Sequence, residues 1–195
     1  MIRFPLAPRL LPIPWVAISL SLSMLIACKP EVKTAQDFHR EGIVQTQKNN
    51  LDSALENLDK AVMLESSNPT ILVNRGLVQN ELGEHEKAIA DYTRAIELDE
   101  TLSEAYYNRA NAHHNLEQFE DAIADYTQAI EQMPDFAYAY VNRAINLEAI
   151  GENERAIADP KRAVDIFQAN DDTADVKRVT AKIDRLELAL PAKSD

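Results

Sequence analysis

Residues 103–136 read SEAYYNRANAHHNLEQFEDAIADYTQAIEQMPDF, and shifting the chain by 34 positions lays this stretch over related sequence on either side. Asn108-Arg109-Ala110 falls on Asn74-Arg75-Gly76 and on Asn142-Arg143-Ala144. Ala122-Ile123-Ala124-Asp125-Tyr126 falls on Ala88-Ile89-Ala90-Asp91-Tyr92 and on Ala156-Ile157-Ala158-Asp159-Pro160. One further step back reaches Gly42 and Ala54-Leu55, a more divergent first copy. The units are therefore 35–68, 69–102, 103–136 and 137–170, with no insertion between them. A fixed period of this length marks a solenoid, in which each unit buries its apolar face against its neighbours.

Composition agrees with helical units. The chain holds only 4 Gly in 195 residues, and Ala, Leu and Glu, all good helix formers, are abundant. Small residues recur at Gly42, Gly76, Ala110 and Ala144, then at Ala54, Ala88, Ala122 and Ala156, then at Ala61, Ala95, Ala129 and Ala163. These are points where paired helices approach too closely for a larger side chain. Phe38, Leu72, Tyr106 and Tyr140 supply a bulky residue early in each unit, and Leu58, Tyr92 and Tyr126 supply a second one later. Gly83 and Gly151 fall where one helix must turn into the next, and Pro134 closes the third unit.

This pattern resembles the tetratricopeptide repeat family. The resemblance implies an all-α, right-handed superhelix of four helix pairs, whose first helices line a concave groove that takes an extended peptide or a partner helix. On that pattern the partner-binding residues are Asn74, Asn108 and Asn142, joined by Tyr107, Asn111, His114, Asn115 and Tyr138. An asparagine amide both donates and accepts, which suits it to reading peptide main chain; the same amides can equally tie neighbouring helices together. Family members that grip a C-terminal carboxylate use lysine and arginine here, whereas this chain has Val73, Leu77, Tyr107 and Asn111. An acidic chaperone tail is not the expected partner.

Asp171 and Asp172 offer an N-cap for a last helix over 171–190, where Val176, Val179, Ile183, Leu186 and Leu190 recur at helical spacing. Such a helix caps the final apolar surface of a solenoid, and 191–195 is a tail. Pro160 stands where Tyr92 and Tyr126 stand in earlier units, so a kink and a loosened fourth unit are expected. Arg75, Arg109 and Arg143 each precede an aspartate by 16 residues, at Asp91, Asp125 and Asp159, a spacing that predicts an ion pair between the two helices of one unit.

At the N-terminus, Arg3 and Arg9 precede a stretch, Leu10 to Ala27, without a charge. This is the layout of an export signal. Leu25-Ile26-Ala27-Cys28 resembles the lipobox of bacterial lipoproteins, which implies a signal peptide over 1–27, lipid on Cys28 and a short tether over 28–34. An uncleaved signal anchor is the alternative, and either one places the repeats on the extracytoplasmic face of a bacterial membrane.

Residues 29–195 carry 18 − 32 = −14 in formal charge, a field that repels a phosphate-coated partner and argues against nucleic acid. His39, His85, His113 and His114 show no metal-ligand spacing, and the exported serines sit in no glycine-flanked elbow. No catalytic residue, cofactor, metal or small-molecule substrate is expected. The sequence thus predicts a membrane-anchored scaffold or adaptor for a protein or peptide partner, supporting assembly of an envelope or membrane complex. A self-associating structural lipoprotein and a non-catalytic regulatory subunit are the alternatives.

Overall fold

The computed structural model describes residues 32–189. The expected signal segment, Cys28, most of the tether and the tail lie outside them. The described residues form nine helices. They are α1 Ala35–Gln47, α2 Leu51–Leu64, α3 Pro69–Glu81, α4 His85–Leu98, α5 Ser103–Asn115, α6 Phe119–Gln132, α7 Ala137–Ala149, α8 Asn153–Ala169 and α9 Thr173–Ala189. Each packs on its neighbours in sequence, and α1, α3 and α5 also touch one another in succession. None of these helices is long and apolar enough to cross a membrane.

The turn within each pair is set by one backbone device. Asn49, Gly83, Glu117 and Gly151 all adopt positive φ, from 58° to 81°. The following amide then reaches back along the finished helix: Glu84 N donates to Gln79 O at 2.8 Å, and Gln118 N to His113 O at 2.9 Å. These bonds satisfy carbonyls that a helix end leaves orphaned. Glycine carries no penalty at this position, whereas Glu117 holds the left-handed conformation at a cost of about 1 to 2 kcal/mol.

The recurrent small residues lie at the helix crossings. Ala54, Ala88, Ala122 and Ala156 are fully buried, as are Ala61, Ala95, Ala129 and Ala163. A Cβ on Gly76 would stand 2.7 Å from Tyr92 Cε1, and one on Gly42 would stand 2.7 Å from Leu58 Cγ. The bulky side chain, Tyr92 or Leu58, therefore fills the space that each glycine leaves.

Each repeated arginine does more than the spacing predicts. Arg109 donates to both carboxylate oxygens of Asp125 at 2.7 Å, and its remaining arm reaches Thr93 Oγ1, in the preceding unit, at 3.0 Å. Arg143 repeats this with Asp159 and Thr127, and Arg75 with Asp91 and Asp59. One guanidinium thus joins three helices. The hydrogen bonds to carboxylate hold these arginines above their ordinary pKa.

One expectation is corrected. The N-cap of α9 is Asp172 alone, whose Oδ1 accepts from Asp175 N at 3.1 Å, while Asp171 takes a left-handed turn with φ 59°. Pro160 lies inside α8, which runs 17 residues through it, and its ring is among the most buried side chains. The bidentate grip of Arg143 on Asp159 holds the residue before the proline in place, which opposes the disfavour proline imposes on a helical predecessor. Val179, Ile183 and Leu186 of α9 are buried against the last pair.

Candidate partner-binding cleft

The first helices α3, α5 and α7 together enclose a cleft of about 310 Å³. Its lining is Asn80 from α3, Asn111, His114 and Asn115 from α5, Asn142, Ile145 and Asn146 from α7, and Tyr126 from α6. No Lys, Arg, Asp or Glu lines it. Five amide side chains on three neighbouring helices make a polar, formally uncharged surface.

Hydrogen bonds fix these amides. Asn142 Nδ2 donates to Tyr107 Oη at 3.1 Å and to Asn111 Oδ1 at 3.2 Å. Tyr126 Oη donates to that same oxygen at 2.6 Å. Burial first, then the neighbouring Tyr107, raises the Tyr126 pKa, so its hydroxyl is a permanent donor. Asn146, only 1% exposed, donates from Nδ2 to Asn142 O at 2.7 Å, and its Oδ1 lies 2.9 Å from His114 Nδ1. An amide oxygen can only accept, so His114 Nδ1 carries the proton and Nε2 is left as an acceptor. Asn115 Nδ2 donates to Asn80 Oδ1 at 3.3 Å. With Asn111 Oδ1 doubly occupied, its Nδ2 is the donor the cleft offers, beside acceptors at His114 Nε2 and Asn115 Oδ1. Donor and acceptors side by side are what an amide group or a stretch of peptide main chain requires.

Of the residues expected from the sequence, Asn111, His114, Asn115 and Asn142 come together here, with Tyr107 just behind Asn142. Asn74 does not. Its amide meets His39 Nε2 at 2.7 Å, tying α3 to α1. Asn108 is half-buried outside the lining; the position on the preceding unit that faces its counterparts is Val73, which has nothing to bond. Tyr138 lines a separate cavity, where its hydroxyl donates to Asp175 Oδ2 at 2.5 Å and its ring meets Phe167 edge-on at 5.2 Å. Asn80 and Asn146 belong to the cleft and break the ladder, since the corresponding positions are His114 and Glu148 for the first, Val78 and Ala112 for the second.

The description "Tetratricopeptide repeat" matches residues 103–136, and "TPR repeat" matches residues 79–117. The fold is a tetratricopeptide repeat array. Among solved structures, a crystal structure of MamA superposes with a TM-score of 0.69 at 22% identity, over 80% of this chain and 90% of that one. MamA from Desulfovibrio magneticus RS-1 gives 0.65 at 17% identity, over 84% and 100%. The first TPR of Spaghetti (RPAP3), bound to the HSP90 peptide SRMEEVD, gives 0.60 at 23% identity, over 60% and 94%. At these identities the likeness is one of fold. No curated protein sequence matches the chain.

Proposed function

We propose that this chain is a membrane-anchored adaptor whose cleft between α3, α5 and α7 takes an uncharged stretch of a protein partner, in support of assembly of a membrane or envelope complex. The observation that carries the reading is the formally uncharged amide lining, with Asn111 Nδ2 and His114 Nε2 left over after the internal hydrogen bonds are counted. An acidic tail of the kind bound to the Spaghetti domain finds no Lys or Arg in this lining. The anchor rests on the signal-like segment before Cys28 and on the lipobox resemblance.

A photo-cross-linker placed at Asn115, exposed on the cleft, and another at Gln128 of α6 test the cleft in native membranes. The adaptor reading requires a discrete protein adduct from position 115 and none of that mass from position 128. Identical adducts from both, or none from either, refute it. The anchor has its own readout: Cys28→Ser releases the protein from membranes and abolishes incorporation of a labelled fatty acid. Retention of both contradicts the lipoprotein assignment.

A further inference from the structure

The α6–α7 connection and the α8–α9 turn border a second cavity, open to solvent and of about 310 Å³, lined by Met133, Asp135, Phe136, Tyr138, Phe167 and Asp172 among others. Its walls combine three aromatic rings and a thioether with two carboxylates, and no Lys or Arg lines it. The rings are held from behind. Phe136 packs on Tyr107 with centroids 4.5 Å apart, Phe167 is 4% exposed, and Tyr138 is pinned through its hydroxyl to Asp175. Of the bases on the first turns of α9, Arg178 is already paired with Asp175 at 2.6 Å, and Lys177 lines a different hollow beside Asp172. Asp135 makes no ion pair among the described residues.

We infer that this cavity is a binding site for a single organic cation on an apolar stem, namely an arginine or lysine side chain presented by a protein partner. Aromatic faces attract a cation through their quadrupoles, and the methylene stem suits the rings and the Met133 thioether. The two carboxylates supply the countercharge, within a domain whose third unit, 103–136, carries seven acidic residues against Arg109 alone. A cavity at the lower limit of small-molecule sites fits one side chain better than a metabolite. Tyr138, Asn142 and Ile145 fall at i, i+4 and i+7 on α7, so this cavity and the amide cleft share one helix face. The inference does not depend on the amide cleft being occupied.

The test follows the Met133 methyl resonance of the full chain by NMR while N-acetyl-arginine methylamide is added. The neutral isostere N-acetyl-citrulline methylamide and tetramethylammonium chloride are run in parallel. A saturable shift with the arginine probe is expected, weakened about tenfold for citrulline. Asp135→Asn together with Asp172→Asn is expected to weaken the arginine probe by a similar factor, since asparagine preserves the helix cap. Equal binding of the citrulline probe, or no saturable shift with the arginine probe, overturns the inference. Saturation by tetramethylammonium alone overturns the side-chain assignment in favour of a free quaternary ammonium ligand. An Asn111→Ala variant that retains arginine binding separates this site from the cleft.

Discussion

Removing the carboxylate of Asp125 tests the three-helix junction directly. Arg109 is 19% exposed and Asp125 9% by side chain, so neither charge is fully solvated. Two of the three hydrogen bonds on the guanidinium go to this aspartate; only the neutral Thr93 hydroxyl remains once it is gone. Breaking a buried pair from one side costs about 3 to 5 kcal/mol, and the residual exposure of Arg109 lowers the expectation for Asp125→Ala to about 2 to 4 kcal/mol. Unit two provides the internal control. There Arg75 still has the carboxylate of Asp59 at 2.9 Å after Asp91 is removed, so Asp91→Ala costs less, about 1 to 2 kcal/mol. Urea unfolding of the full chain followed by helical circular dichroism reads both, a loss of 2 kcal/mol moving the midpoint by about 1 M. Replacing both partners, Arg109→Met with Asp125→Leu, recovers most of the loss because no unpaired charge remains. Equal midpoint shifts for the two aspartate variants would refute the reasoning, as would a double variant no better than Asp125→Ala.

The helix turns give a second test: Glu117→Gly relieves the left-handed strain and raises stability by about 1 kcal/mol, while Gly83→Ala lowers it by a similar amount, both by urea midpoint. The two buried tyrosines should behave oppositely. Tyr126→Phe forfeits the 2.6 Å bond to Asn111 and costs about 1 kcal/mol, whereas the Tyr92 hydroxyl is buried with no partner, so Tyr92→Phe is neutral or stabilising; matching losses would refute this. Burial, partly offset by Glu65, lowers the His39 pKa from 6.5, and the neutral ring accepts from Asn74. The unfolded chain then binds that proton more tightly, so the contribution is complete above the unfolded value and is lost as pH falls from about 6.5 through the lower folded value. His39→Gln should flatten that part of the stability profile, and a difference profile that is level between neutral and mildly acidic pH would contradict it.

Much of the architecture was legible because a solenoid writes its geometry into a period. The alanines at 54, 88, 122 and 156 recur and are fully buried. The Arg–Asp spacing of 16 residues recurs and forms the expected pairs. The third arm of each arginine was equally available, since Asp59, Thr93 and Thr127 stand 16 residues before Arg75, Arg109 and Arg143. At these three positions Asp59 stands where the later units have threonine, so the residue type varies while the contact is kept. Pro160 lies within a continuous helix whose residue before the proline is gripped by Arg143.

The cleft was only half legible, and the reason is general to repeats. Periodic residues are selected at every unit by the fold, so a recurring asparagine has first claim as a helix tie, which is how Asn74 and Asn142 are used. The cleft adds to the recurring Asn142 a set of residues that fail to recur. Asn111 replaces Leu77 and precedes Ile145, His114 replaces Asn80, and Asn146 replaces Ala112 and Val78. These substitutions put polarity at positions where the other units keep apolar or unlike side chains, and all of them converge on the space between α5 and its neighbours. Tyr92 and Tyr126 show the same logic in one atom. Both hydroxyls are carried into the interior by the repeat, but only Tyr126 finds a partner, because only the third unit has an asparagine at the facing position. In an array whose scaffold is its period, the departures from the period give the amide cleft its lining.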